Sequence, residues 1–312
     1  MTEENWERRV LGELATEGLR EQRRARRWGI FFKLTALGVV LIILLAIAGS
    51  LTQSDRTCLE QCTALIDIRG ELSADGRASA ENIIAGLQAA FKNKGTKGVI
   101  LRINSPGGSP VQAGEINDEI RRLRANYPNT PLYAVVEELC ASGAYYVAVA
   151  ADKIYVDKAS LIGSIGVIMD GFGFVGAMEK LGVERRAITA GANKAFLDPF
   201  SPMSAEQRNF AQQILDEIHQ QFIAAVKQGR GDRLKNDPEL FSGLVWNGAR
   251  GIELGLADAL GSVEYVAREV IKADELVDFT PQENIAERVA RKLGATMGRS
   301  LASTLAEGMR GW

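Results

Sequence analysis

The sequence predicts an α/β fold built on a mostly parallel sheet, preceded by a single N-terminal transmembrane helix. Three observations carry this. Short apolar runs such as Gly98-Val-Ile-Leu-Arg-Ile103 and Pro131-Leu-Tyr-Ala-Val-Val136 have the length and β-branched content of buried strands. Between them, apolar residues recur at helical spacing, as in Ile83, Ile84, Leu87 and Phe91. Strands alternating with helices imply βαβ units. Outside that pattern lies one apolar run, from Leu34 to Leu51, with no charge until Asp55. Roughly twenty such residues span a bilayer as a helix.

The elements follow in order. Residues 1–33 form a basic segment in which Arg20, Arg23, Arg24, Arg26 and Arg27 lead up to Trp28. These arginines hold the N-terminus in the cytoplasm, so the anchor at 34–54 delivers the rest to the far side of the inner (plasma) membrane. The rival is a cleaved signal peptide, suggested by Ala46-Ile-Ala48. Its leading segment is too long and its apolar run exceeds a normal signal core. A linker at 55–62 precedes the main domain, 63–280. There the sequence predicts a strand at 64–68, a helix at 80–91 and a strand at 98–103. A helix from about Val111 to Ala125 and the strand from Pro131 follow. Beyond the helix at 144–151, strands are expected at 153–156, 165–169 and 184–189. A long helix runs from Ser204 to about Gln228, and the remainder through Val270 reads as helical, with turns at Gly255 and Gly261. The tail, 281–312, reads as a surface helix or a frayed end.

Composition narrows the function. The 312 residues are 46% hydrophobic and carry a net charge of −2, so a sizeable core is expected and nucleic acid is not an expected partner. Cys140 reads as a small buried hydrophobe. Cys58 and Cys62 suit one helical face, a link between subunits, or no role, and no metal set completes around them. No cofactor is expected. Gly171-Phe-Gly-Phe-Val-Gly176 matches a dinucleotide fingerprint, but no second strand with a ribose-binding acid follows at the proper distance.

The informative stretch is Glu138-Leu-Cys-Ala-Ser-Gly-Ala-Tyr-Tyr-Val-Ala148. It sets Ser142 at a strand-to-helix junction, where backbone N–H groups favour negative charge. The bland alternative is a helix N-cap. Asn104-Ser-Pro-Gly-Gly-Ser109 ends the preceding strand in a loop with unobstructed amides, and Gly143 supplies a second donor of the kind an oxyanion hole needs. A nucleophilic serine also needs a base. The chain has one histidine, His219, which reads as a solvated residue of an amphipathic helix, so a Ser-His-Asp triad is not expected. Lys194 lies among small and apolar residues in Gly191-Ala-Asn-Lys-Ala-Phe-Leu-Asp-Pro-Phe200. Desolvation there would favour its free amine. Ser164, in Leu161-Ile-Gly-Ser-Ile-Gly-Val167, is a hydroxyl of the type that orients such an amine.

Together these motifs resemble the signal peptide peptidase A family, peptidase family S49, whose members are serine peptidases with a Ser-Lys dyad. The resemblance covers roughly Cys62 to Val270 and rests on five motifs in order. They are Ser-Pro-Gly-Gly at 105–108, Ala-Ser-Gly-Ala-Tyr-Tyr at 141–146 and Ile-Gly-Ser-Ile-Gly-Val at 162–167. Gly-Ala-Asn-Lys at 191–194 follows, then Trp-Asn-Gly-Ala-Arg with Gly-Leu-Ala-Asp-Ala-Leu-Gly at 246–261. The resemblance implies Ser142 as nucleophile, Lys194 as general base and Ser164 as the hydroxyl orienting the lysine. It places the oxyanion hole at Gly107, Gly108 and Gly143. It implies a ClpP/crotonase-like spiral of ββα units and a homo-oligomeric ring at the membrane. Its substrates would be cleaved signal peptides and other small or unfolded polypeptides on the non-cytoplasmic side, hydrolysed without metal or ATP. One departure is Ala144, where the family usually has glycine; its methyl group suits a helix start and would narrow the pocket if it pointed there. The rival functions are an acyl-CoA enzyme of the crotonase type and a catalytically silent membrane scaffold.

Overall fold

The computed structural model describes residues 24, 26–42, 44, 58 and 60–281. Two units are distinct, and residues 56–281 form the larger. In the other, residues 26–42 are helical and expose Phe31, Phe32, Leu37 and Ile42. Among the described residues no helix is long and apolar enough to cross a membrane. The second half of the expected span, and the tail after Pro281, lie outside the described residues.

The large unit is one mixed sheet with helices against it. Its strands are β1 (Cys62–Arg69), β2 (Thr96–Ser105), β3 (Leu132–Ala141), β4 (Lys153–Val156), β5 (Leu161–Gly163), β6 (Val245–Asn247), β7 (Ala259–Leu260) and β8 (Leu276–Asp278). The main path runs β6-β5-β3-β2-β1-β8, with β4 joining β3 to β7. All pairs are parallel except β5 with β6. The central strands are apolar on both faces because both faces are covered. Ala64, Ile66 and Ile68 join Leu101 and Ile103 in the larger core, under the helices Ala80–Lys92 and Pro110–Asn126. Leu65, Ile100 and Val135 turn the other way, against Val263, Val266 and Ala267. That is the period-two alternation of strands.

The helices begin where side chains satisfy their first amides. Ser79 and Ser109 accept from Asn82 and Gln112 N–H at 3.3 and 3.4 Å. Ser204 and Gln207 form a reciprocal capping box opening the long helix Ala205–Arg230.

Three expectations need correction. Residues 165–169 and 184–189 are not strands. They belong to an arm with no sheet neighbour to pair with, and Ile168 and Ile188 are 82% and 100% exposed. Strand propensity without a partner does not make a strand. Conversely, β6, β7 and β8 lie in a region read as helical; at three residues or fewer they are too short to show alternation. Cys58 and Cys62 are joined by a disulfide, and Gly95 leaves room for it, since a methyl there would stand 2.7 Å from the Cys58 sulfur.

Candidate active site

The strand that delivers Ser142 changes partners along its length. β3 pairs with β4 over Tyr133–Val135, then with β5 over Leu139–Ala141. Its end therefore sits between β5 and the loop that follows β2, at the carboxyl edge of parallel strands where α/β sites form.

Ser142 has φ 51° and ψ −125°. That left-handed backbone is strained for a residue with a side chain, by about 1–3 kcal/mol. Its N–H donates to the Gly163 carbonyl at 2.9 Å, and its own carbonyl accepts from Tyr146 N–H at 3.0 Å. The side chain makes no capping hydrogen bond. The N-cap reading therefore fails: the turn presents the hydroxyl outward, in the geometry of a nucleophile elbow. The helix beyond, Gly143–Ala148, has only six residues, so individual amides matter here more than a helix dipole. Ala144 is fully buried in the core and takes no part in lining the cleft, so its methyl does not narrow it.

Opposite the elbow lies the Pro-Gly-Gly loop. Gly107 and Gly108 have φ 95° and 141°. Leu72 N–H donates to the Gly107 carbonyl at 2.7 Å, and Ser109 N–H donates to the Leu72 carbonyl at 2.8 Å. This isolated parallel bridge between Leu72 and Gly108 leaves the N–H of Gly108 facing the opposite edge. There it stands 3.4 Å from where a methyl on Gly143 would be. Among the described residues neither amide, Gly108 nor Gly143, meets an acceptor. Gly107 is different: its N–H donates to Ser105 Oγ at 3.1 Å. Its contribution is shape, because a methyl there would stand 2.6 Å from the Gly143 nitrogen. The structure thus gathers all three glycines at the elbow and separates two free donors from one spacer.

Ser164 follows Gly163, whose register partner is Ala141, so it lies beside Ser142 on the next strand. It too has positive φ, 51°, and its N–H donates to the Leu244 carbonyl at 2.7 Å. His219 is half-buried rather than fully solvated, and its Nε2 stands 3.1 Å from the Ile165 carbonyl. It lies outside the cleft lining.

Lys194 is not brought to Ser142 within this chain. It is exposed on the arm between β5 and the long helix, and it does not line the cleft over Ser142. The apolar neighbours in its sequence do not bury it here. The glycines of Gly171-Phe-Gly-Phe-Val-Gly176 lie on the same arm with open space around each, so nothing there requires the close backbone approach of a phosphate loop.

The cleft holds about 620 Å³ and is lined by Ser142, Gly143, Gly108, Tyr146, Ile218 and Phe222, among others. Burial, then the charge of Asp118, raises the pKa of the Tyr146 hydroxyl. Tyr146, Ile218 and Phe222 were not foreseen as site residues; the i, i+4 spacing of Ile218 and Phe222 was the available signal. Behind the elbow, buried Tyr145 donates to the Leu256 carbonyl at 2.8 Å, and burial raises its hydroxyl pKa. Arg230, also buried, donates to the Gly255 carbonyl and to Asp258, at 2.8 and 2.7 Å. Among the described residues no group of three or more histidines, cysteines or acids is placed to hold a metal ion.

The model of peptidase family S49 matches residues 124–277, a span that contains Ser142, Ser164 and Lys194. The chain is 39% identical over 228 residues to a Brucella melitensis biotype 1 protein named Na(+)/H(+) antiporter NhaA, covering 72% of this chain and 31% of that one. It is 32% identical over 200 residues to a putative signal peptide peptidase SppA of Enterococcus faecium, covering 64% and 58%. A putative protease of Methanocaldococcus jannaschii is 32% identical over 198 residues, covering 62% and 63%. The chain thus spans between 31% and 63% of the length of these relatives.

Proposed function

We infer that this chain, which belongs to peptidase family S49, is a membrane-anchored serine peptidase with a Ser-Lys dyad. The observation that carries the reading is the strained Ser142 held against two unoccupied amides, those of Gly108 and Gly143. Strain of this kind persists where the surroundings over-determine it, and sites of chemistry are where it concentrates.

In the proposed mechanism, the Ser142 hydroxyl attacks a peptide carbonyl while the free amine of Lys194 takes its proton. The Gly108 and Gly143 amides donate to the oxyanion as it forms. The lysine returns the proton to the leaving amine, and water then hydrolyses the acyl ester through the same base. Ser164 orients the amine without adding charge. Lys194 is exposed in its own chain, which favours its reaching the Ser142 of a neighbouring copy. We therefore propose a homo-oligomeric ring with a ClpP/crotonase-like spiral as its repeating unit. The basic 1–33 segment and the apolar run after it support an inner-membrane anchor, with the catalytic domain outside the cytoplasm. The Cys58–Cys62 disulfide fits that oxidising side. Cleaved signal peptides and other small or unfolded polypeptides are the proposed substrates; the apolar cleft suits them.

The test uses a fluorophosphonate probe and a quenched-fluorescence apolar peptide. Ser142→Ala should lose both labelling and hydrolysis, and Lys194→Ala should lose hydrolysis. Mixing the two inactive proteins should restore part of the activity. Full hydrolysis by the Lys194→Ala protein would sink the dyad.

A further inference from the structure

The three long helices of the large unit, Ala80–Lys92, Pro110–Asn126 and Ala205–Arg230, each carry one glycine, at Gly86, Gly114 and Gly229. A glycine inside a helix costs stability relative to alanine, so each calls for a reason. Gly86 and Gly229 have one: a methyl would stand 2.9 Å from the Phe279 carbonyl oxygen and 2.0 Å from the Val149 carbonyl oxygen. Gly114 has no reason of that kind. Its φ is not positive, and a methyl there would meet nothing within 4 Å. It nonetheless lines the cleft over Ser142. Its neighbours tie it to the elbow. Ala113 would touch a methyl on Gly143 at 3.4 Å, and Asn117 donates to the Tyr146 carbonyl at 2.6 Å. Residues 113 and 117, one turn apart, thus seat this helix on the Gly143–Ala148 helix, and Gly114 stands beside that seam.

We propose that Gly114 determines specificity: the open space over its Cα receives a bulky apolar side chain, of leucine or phenylalanine size, from a bound peptide. The proposal rests on the peptide-binding reading of this site. A helix that keeps a poor helix former where neither backbone nor packing demands it keeps room for an occupant from outside the chain, and sites of function are where such local rules are broken. The apolar character follows from the walls. Val111, Val167, Ile168, Ile218 and Phe222 line the same cleft, and the Tyr146 and Phe222 rings lie 5.1 Å apart. Glu115 and Asp118 line it too, but both are exposed and can stay in water. A peptide fits this place better than a segment of a second copy. Its carbonyl must come within hydrogen-bond distance of the Gly143 amide, and Ala113 stands in contact range of Gly143. A peptide bound there passes close to the Gly114 wall.

The test separates binding from hydrolysis. Fluorescent alanine-based peptides carrying one leucine or phenylalanine, moved one position at a time, are titrated into the full-length Ser142→Ala protein and followed by anisotropy. At one position leucine should tighten binding about five- to fiftyfold over the all-alanine parent, as expected for partial burial of its three extra carbons at about fourfold each. Adding Gly114→Ala should reduce that gain about fourfold or more, and Gly114→Leu should abolish it. The gain is a ratio to the parent peptide, so a general loss of binding cancels. Gly114→Ala should also raise Tm by about 1–4 °C, because alanine favours the helix. No gain at any position, a gain that survives in Gly114→Leu, or a higher Tm with an unchanged gain in Gly114→Ala overturns the proposal. If Gly114→Leu keeps the gain but dissociates the assembly by light scattering, the space belongs to a second copy and the proposal falls. Hydrolysis of the same peptides by the wild-type chain tests the peptidase reading by itself. A leucine gain without hydrolysis overturns that reading and supports the pocket, and hydrolysis without a gain does the reverse.

Discussion

Replacing Gly108 by alanine puts a methyl group 2.3 Å from the Leu72 carbonyl oxygen and 2.9 Å from its nitrogen. The obstacle is backbone, tied to the loop by hydrogen bonds of 2.7 and 2.8 Å, so it cannot swing aside as a side-chain tip would. Ordinary contact begins at 3.4 Å, so the loop must retreat by 3.4 − 2.3 = 1.1 Å. The φ of 141° adds strain, worth about 1–3 kcal/mol for a residue with a Cβ. Retreat carries the Gly108 N–H away from Gly143 and from the position of the oxyanion. A misplacement of about 1 Å costs about 10²-fold in rate. Loss of one oxyanion donor costs about 10²–10³ in kcat, or about 2.7–4 kcal/mol. The expected result for Gly108→Ala is therefore a fall of about 10²–10³ in kcat/KM on a quenched-fluorescence peptide. Tm should drop by about 3–10 °C, the strain spread over a domain of this size. Peptidase activity within about threefold of wild type in the folded Gly108→Ala protein would refute the assignment of this amide as a donor.

Three further outcomes follow from the packing around the site. Asp258→Leu removes the carboxylate that neutralises buried Arg230, and urea unfolding should show a loss of about 3–5 kcal/mol. For Asp258 itself, burial pushes the carboxyl pKa up, but the Arg230 hydrogen bond and charge outweigh it and the net shift is downward. A lowered folded-state pKa gives stability that is complete above the unfolded value, about 3.9, and is lost as pH falls through the folded value. Acid unfolding curves should steepen below about pH 4, and Asp258→Asn should flatten that dependence. Cys58→Ser/Cys62→Ser opens a short loop and should lose about 2 kcal/mol in thermal unfolding; an unchanged melting curve would show that the bridge adds nothing.

The central strands were legible because their covering on both faces leaves an apolar run that needs no neighbour to be recognised. The helices at 80–92 and 110–126 were legible for a related reason: their caps and their apolar spacing are both local. The arm between β5 and the long helix was not. Runs such as 184–189 look like strands, and only the missing sheet neighbour decides otherwise. Ser142, Gly108 and Gly143 could be named as a site from residue type and order. What the sequence did not hold was the division of labour among the glycines. Gly107 and Gly108 are adjacent and chemically identical, yet Ser105 takes the amide of one and leaves the other free. That choice depends on the Leu72 bridge, a contact across more than thirty positions of chain. His219 shows the same gap, since its helix reads as solvated until the Ile165 carbonyl is placed beside it.

The strain has a distribution that bears on how the site works. Among the described residues only four without a glycine backbone have positive φ, and two of them, Ser142 and Ser164, lie either side of one hydrogen-bonded register. Gly163 links them: its carbonyl accepts the Ser142 N–H, and Ser164 N–H is fastened to Leu244 at 2.7 Å. β5 has three residues and β6 has three, too few to matter as sheet, but their antiparallel pairing fixes both ends of this link. The pairing is thus better understood as the brace for two strained serines than as part of the core. A brace of this kind holds Ser142, the free Gly108 and Gly143 amides and the Ser164 hydroxyl in place within one chain. Lys194 stands apart on an arm that exposes Ile168, Phe172 and Ile188. If Lys194 is the base, as proposed, the costly half of the site is preorganised and the base is the half left to association. Under the proposed dyad, an isolated chain would then hold a formed oxyanion hole and an unactivated serine, which keeps its chemistry silent until a second copy supplies the amine.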